Sequence, residues 1–245
     1  MSDGEQNETG ELNGTGEQSG TGEQSGTGEQ SGIEELGPEH VVDVPQRWET
    51  LGSKQKFEGH VFNVRSDDVR MPDGEGGSEV VTRDVIEHLG AVGTLALDDE
   101  GRVLLIRQYR HPVGQLLWEA PAGLRDVKGE SLQSLAEREL LEEAGYKAGR
   151  WDTLVDIFPS SGMSNERVRV FLARDVTKIP DDQIDFARVH EEADMPAVWV
   201  PLEEAVRKVL AGEIHNTIAT VGILAINAAR ADGFASLRPA DAPEA

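Results

Sequence analysis

The chain has 245 residues, enough for one sizeable core and a small second unit, and a formal charge of −23. Residues 1–40 hold ten of the acids and no Lys or Arg, so the remainder still carries −13, a surface that repels nucleic acid and anionic lipid. The absence of cysteine excludes disulfides, thiolate metal sites and cysteine nucleophiles and agrees with a reducing cytoplasm.

No basic segment followed by an apolar stretch opens the sequence, so no signal peptide is expected. No apolar run approaches the roughly 20 residues that span a bilayer. The sequence TGEQSG occurs at 15–20, 21–26 and 27–32, with TGELNG at 9–14 as a degenerate copy. Almost no large apolar side chain interrupts this six-residue period, so residues 1–43 are expected as a disordered acidic tail. A solubilising extension explains it better than a regulatory one.

Order is expected from about residue 44. HVFNVRSDDVRM (60–71) alternates like a strand, PDGEGG (72–77) reads as a turn, and EVVTRDVIEH (79–88) as the returning strand. GAVGTLAL (90–97) and RVLLIRQYR (102–110) flank DDEG, a hairpin signal. LLWEAPAG (116–123) is a short strand entering a glycine turn, and 131–144 has helical spacing. WDTLVDIF (151–158), ERVRVFLARDV (166–176) and AVWVPL (197–202) read as strands, with Trp118 and Trp199 as core residues. Residues 203–214 and 217–230 read as helices, the second strongly apolar, and 234–245 as a flexible tail. Mixed strands with a few helices argue an α/β or α+β sandwich rather than repeated βαβ units.

The helix at 131–144 carries the chemistry. Ser131 is placed to cap it, without a full capping box because Ser134 stands three residues on. At about 100° per residue, Leu132, Ala136, Glu139 and Glu143 share one stripe, with Glu142 beside it. A solvated acidic face should lie opposite the leucines; here the acids prolong the core-facing stripe. They also face the negative end of the helix dipole and repel one another at i, i+4. Two readings follow: a polar rim, or a hard divalent cation held by oxygen ligands.

The whole stretch PAGLRDVKGESLQSLAERELLEEAGY (121–146) resembles the Nudix box, in which Gly, five residues, Glu and seven residues precede Arg-Glu-apolar-any-Glu-Glu-any-Gly-apolar. From Glu130 through Arg138, Glu139, Leu140, Glu142, Glu143, Gly145 and Tyr146 the match is complete. The departure is six residues rather than five between Gly123 and Glu130, which leaves open the register of Gly123 and of the Ala122 carbonyl. WEAPAG, RMPDG, VTRDVIEH, QYRH and HEEADM resemble the ADP-ribose pyrophosphatase branch, and actinobacterial members most.

That resemblance implies a Nudix α/β/α sandwich with a mixed sheet at 89–233, preceded by a small β-rich dimerisation subdomain at 44–88 that completes the site across a homodimer. It implies a cytoplasmic hydrolase converting ADP-ribose to AMP and ribose 5-phosphate with two or three Mg²⁺ or Mn²⁺ ions. Glu139, Glu142, Glu143 and the Ala122 carbonyl would be metal ligands, with Gly123, Glu130 and Arg138 supporting the box. Glu192 of HEEADM would be the catalytic base, with Glu191 as its alternative. Arg110 would meet the diphosphate. Glu119 would lie near the ribose or support the metal loop. Glu166 would reach the terminal ribose. Phe62 and the partner subunit's Arg83 would sandwich the adenine. The alternatives are another nucleoside diphosphate sugar as substrate, or a silent nucleotide-sensing module; such modules typically lose box glutamates, and here all are present.

Overall fold

The computed structural model describes residues 37–186 and 195–244. The chain divides into two units, residues 1–46 and 47–245. Of the first, only its last ten residues are described, with a short 3-10 turn at Pro38–His40; the tail expected at 1–43 otherwise lies outside the described residues.

The second unit opens with an antiparallel three-stranded sheet, β1 (Thr50–Glu58), β2 (Phe62–Pro72) and β3 (Ser78–His88). The turn after Pro72 forms because Asp73 accepts from the amides of Glu75 and Gly77 at 2.9 Å, while Gly74 and Gly76 take positive φ. Two further sheets follow. One has the order β10 (Ala197–Pro201), β5 (Arg102–Arg110), β6 (Gln115–Glu119). The other is mixed and runs β11 (Arg238–Pro239), β8 (Tyr146–Ile157), β9 (Val168–Lys178), β4 (Ala91–Ala96), β7 (Ala122–Leu124). Strands β4 and β9 are parallel and the rest antiparallel.

Among the described residues three α-helices complete the unit: α1 (Leu132–Ala144), α2 (Leu202–Leu210) and α3 (Thr217–Ala229). Alternation along β4 and β9 decides which helix covers which face. Leu95, Val170 and Leu172 pack with Ile223 and Ile226 of α3. Val92 and Phe171 pack with Leu135 and Ala136 of α1. The mixed sheet thus lies between α1 and α3, the expected sandwich. Close approach of α3 depends on two glycines: a Cβ on Gly222 would sit 2.4 Å from Leu95, and one on Gly93 would sit 2.3 Å from Ile218.

Two expectations are corrected. Strand β8 begins at Tyr146, five residues before the expected start, because Gly145 turns the chain in a left-handed conformation straight from α1 into the strand. The C-terminal segment is not a loose tail. Strand β11 pairs with β8, and Arg169 donates to the carbonyls of Ala242 and Pro243. Arg169 is 2% exposed and holds Asp156, its cross-strand neighbour, through two hydrogen bonds of 2.7 and 2.9 Å. Trp118 and Trp199 are partly buried and pack against the core, Trp199 donating to the Tyr146 hydroxyl at 2.9 Å.

Candidate active site

Helix α1 is fixed at both ends. Ser131 accepts from the Ser134 amide at 3.0 Å, and the Gly145 amide donates to Leu141 at 2.9 Å. Lys178 donates to the Ala144 carbonyl at 3.0 Å and places a cation at the negative end of the helix dipole. The acidic last turns are thereby offset from outside the helix.

Of the predicted stripe, Ala136 and Glu143 are buried and Leu132 and Glu139 half-buried. Leu135, Ala136, Leu140 and Ala144 are buried, and so is Glu143, at 6% exposure. Glu143 Oε2 accepts from the Ala122 amide at 2.8 Å. Arg138 gathers the other acids: Nη1 donates to Glu139 at 2.8 Å and Glu142 at 3.1 Å, while Nε and Nη2 donate to Glu130 at 3.2 and 3.3 Å. The hydrogen bonds that Arg138 donates to Glu130 first, then the charge of Glu139 and the hydrogen bond to Glu142, raise the Arg138 pKa despite partial burial.

With the longer loop, Ala122 and Gly123 lie in strand β7. Strand β7 pairs with β4 through Gly93 opposite Ala122 and Val92 opposite Gly123, and the Thr94 amide donates to Pro121 at 2.8 Å. An added Cβ on Gly123 would fall 2.2 Å from Glu139 Oε1. The backbone therefore lies directly against this carboxylate.

This donor set fits a hard divalent cation. It offers only oxygens, and the space that a side chain on Gly123 would fill is taken by Glu139. Among the described residues, however, no group of three acids or histidines closes on one point. Arg138 bridges Glu139 and Glu142, and Glu143 turns onto the Ala122 amide. A cation at these residues would share the acids with Arg138.

Beside the box lies a cavity of about 590 Å³, lined in part by Arg110, Glu119, Ala122, Gly123 and Glu166. Arg110, at the end of β5, reaches Glu119, at the end of β6, in a two-pronged pair of 2.9 and 2.6 Å. Glu119 is 2% exposed, whereas the Arg110 side chain is nearly half exposed. The buried carboxylate thus fixes the plane of a guanidinium presented at the cavity. Glu166 Oε1 lies 3.7 Å from His88 Nδ1, and that nitrogen accepts from the Gly90 amide at 3.1 Å.

Phe62 and Arg83 are not brought together within one chain. Phe62 is paired with His88 and touches Phe57 at 5.9 Å between ring centroids; it lines an adjoining recess that shares Val61 and His88 with the main cavity. Arg83 lies five residues along β3 opposite Asp67, exposed, donating to the Thr82 carbonyl at 3.1 Å. Glu191 and Glu192 lie outside the described residues.

Two lining residues had no role assigned from the sequence. His88 ends β3 at the cavity wall, and Asn216 caps α3 by accepting from Ala219 at 3.0 Å. The cap places the N-terminus of a 13-residue helix at the cavity, where its amides favour an anion. The Asn just before an apolar helix was the available signal for the second; nothing marked the first.

Comparisons with known proteins place the chain in a family. Residues 87–221 match the NUDIX domain, and residues 48–78 match the nucleoside diphosphate sugar hydrolase N-terminal domain. The chain is 46% identical over 194 residues, 79% of its length and 89% of the relative's, to the ADP-ribose pyrophosphatase of Mycobacterium tuberculosis. It is 33% identical to the ADP-ribose pyrophosphatase of Bacillus subtilis over 68% of this chain and 85% of that one. In fold it resembles the crystal structure of an ADP compounds hydrolase, with a TM-score of 0.62 and 19% identity over 79% of this chain and 100% of that one. With its matched domain spanning more than half of the sequence, and its box helix laid against β7 as described, the chain belongs to the Nudix hydrolase family.

Proposed function

We propose that the protein hydrolyses ADP-ribose to AMP and ribose 5-phosphate with Mg²⁺ or Mn²⁺ bound at Glu139, Glu142, Glu143 and the Ala122 carbonyl. The observation that carries this reading is the junction of box and cavity. Buried Glu143 is hydrogen-bonded to Ala122 and Glu139 lies against Gly123, and these two backbone residues also line the recess that holds Arg110. The names of the two pyrophosphatase relatives support the substrate.

A diphosphate resists attack because its own charge repels a nucleophile; divalent cations supply charge neutralisation and make water more acidic. This chain's residues do the rest. Arg110, held in plane by Glu119, meets the diphosphate oxygens. The N-terminus of α3 adds amide dipoles. Arg138 keeps Glu139 and Glu142 oriented when no cation is bound. Glu192, with Glu191 as its alternative, takes the proton of the attacking water. The P–O–P bond then breaks, and the leaving phosphate departs with the electron pair. Glu166 addresses the terminal ribose. Phe62 and the partner subunit's Arg83 hold the adenine in a cytoplasmic homodimer. Among the described residues no helix is long and apolar enough to cross a membrane.

The test is a panel of ADP-ribose, guanosine and uridine diphosphate sugars assayed with Mg²⁺ and with Mn²⁺. The expected result is AMP from ADP-ribose at the highest kcat/KM. A preference for a guanosine or uridine sugar would sink the substrate assignment and leave the hydrolase class standing.

A further inference from the structure

A second recess, of about 570 Å³, lies on the other side of His88 from the main cavity and shares only that residue with it. In a chain with 46 acids and 23 Lys or Arg, it is lined by two arginines, Arg125 and Arg167. Gly90 packs between the Arg125 side chain and the Arg167 backbone. Its carbonyl accepts from the Arg125 amide at 3.1 Å, and at φ +86° it packs so closely that a Cβ would lie 3.0 Å from both Arg125 Cδ and the Arg167 carbonyl oxygen. The Arg167 guanidinium lies over the Phe158 ring, 4.8 Å from its centroid, and has no carboxylate partner among the described residues. Stacking of this kind holds a guanidinium in place with its edges available.

The other arginine is already occupied by an anion from the chain itself. Glu244, near the C-terminus, sits on Arg125 at 3.0 Å and lines the same recess. It is delivered there by the C-terminal strap. Thr153 Oγ1 donates to Pro239 at 3.0 Å, and Arg169 holds Ala242 and Pro243. The strap's anchor is buried, but its last ion pair is not: Arg125 and Glu244 are about one-third and one-quarter exposed. A partly exposed pair of this sort is weak and open to competition.

We propose that this recess is an anion site for a small phosphate-bearing ligand, filled in the free protein by the Glu244 carboxylate as an internal stand-in. Two guanidinium groups line the recess, one stacked on a ring and one paired to a displaceable carboxylate, and this is donor chemistry that suits phosphate oxygens. The site stands apart from the carboxylates of the box, so phosphate binds here without a divalent cation. The reading does not depend on the proposed substrate.

The test is calorimetric titration of the full chain, with chelator present, using inorganic phosphate and, separately, ribose 5-phosphate. Glu244→Gln removes the competing charge at the chain end and is expected to tighten phosphate binding by about two- to fivefold, the range of a partly exposed ion pair. Arg167→Met is expected to abolish it, with an unchanged melting curve, whereas Glu143→Gln leaves it intact. Equal affinity for both ligands means that the phosphate group is what is recognised; tighter binding of ribose 5-phosphate places its sugar in the recess as well. No measurable phosphate binding in Glu244→Gln at millimolar ligand, or binding that survives Arg167→Met, would overturn the proposal.

Discussion

Replacement of Gly123 by alanine tests the contact on which the proposed metal site depends. The new methyl would start 2.2 Å from Glu139 Oε1, 2.3 Å from its Cδ and 2.5 Å from its Cγ. Carbon atoms pack best at about 3.5–4.0 Å, so roughly 1.3 Å of overlap must be relieved. Strand β7 is held to β4 by its ladder, whereas Glu139 is a flexible side chain, so Glu139 gives way. Turning it aside breaks its 2.8 Å contact with Arg138 and moves a proposed ligand. The expected cost to the fold is that of modest overpacking, about 1–2 kcal/mol, or roughly 2–8 °C in Tm for a domain of this size. The cost to catalysis is larger. Misplacing a group by about 1 Å can lower the rate by around 10²-fold, and the Mg²⁺ concentration for half-maximal rate should rise with it. The assay is ADP-ribose hydrolysis across a Mg²⁺ titration beside a thermal melt. A variant within twofold of the parent at every Mg²⁺ concentration would refute the placement of Glu139 at the metal.

Three further outcomes follow from the same geometry. Glu143→Gln keeps an oxygen for the Ala122 amide and should fold normally, yet lose several kcal/mol of transition-state stabilisation, on the order of 10²-fold or more in kcat; near-parental kcat would remove Glu143 from the site. Burial opposes ionisation of Asp156, but hydrogen bonds from Arg169 and Arg238 outweigh it and hold its pKa below the ordinary value. Its contribution is therefore complete above the unfolded carboxylate value, about 3.9, and is lost as pH falls through the lower folded value. In Asp156→Asn this acid-labile part disappears and buried Arg169 loses its charge partner, a cost of about 3–5 kcal/mol; urea unfolding at neutral and acid pH measures both, and an unchanged acid limb would contradict the assignment. Mixing inactive Arg83→Ala and Glu143→Gln proteins should restore up to about a quarter of parental activity, because a mixed C2 dimer has one intact site. No recovery after subunit exchange would show that Arg83 does not serve across the interface.

The box helix was legible because two signals coincide in it. Its apolar period orients the stripe, and the acids occupy positions where a solvated face would not put them; burial of Glu143 is the structural counterpart. The strands at 102–110 and 166–176 were legible from their β-branched and alternating residues. The early start of β8 was not, because KAGR (147–150) carries no strand signal and pairs only through its neighbour β9. The C-terminal strap was hidden for a related reason. RPADAPEA (238–245) is the composition of a tail, and what retains it is Arg169, which in RVRV reads as the outward residue of an alternating strand. In the structure both faces of β9 are covered, so that outward residue is buried and must be satisfied by Asp156 and two strap carbonyls. Sequence pattern reports which face a side chain takes; it does not report that the second face is also closed.

Charge is the remaining constraint on the proposed reaction, because a chain of net charge −23 is asked to bind a dianionic substrate. The fold answers by keeping its cations under local control. Arg138 is held among three box glutamates, and Arg110 is held by Glu119. In each case the carboxylate partner is buried or half-buried and fixes the guanidinium plane. A substrate phosphate meeting Arg110 therefore encounters a donor array already oriented, so little ordering entropy is lost on contact. The same pairing means that Arg110 alone offers little net positive charge to a distant anion. In the proposed reaction, capture from solution falls to divalent cations at the box and Arg110 acts at contact range, so that affinity depends on the metal and orientation of the diphosphate on the chain.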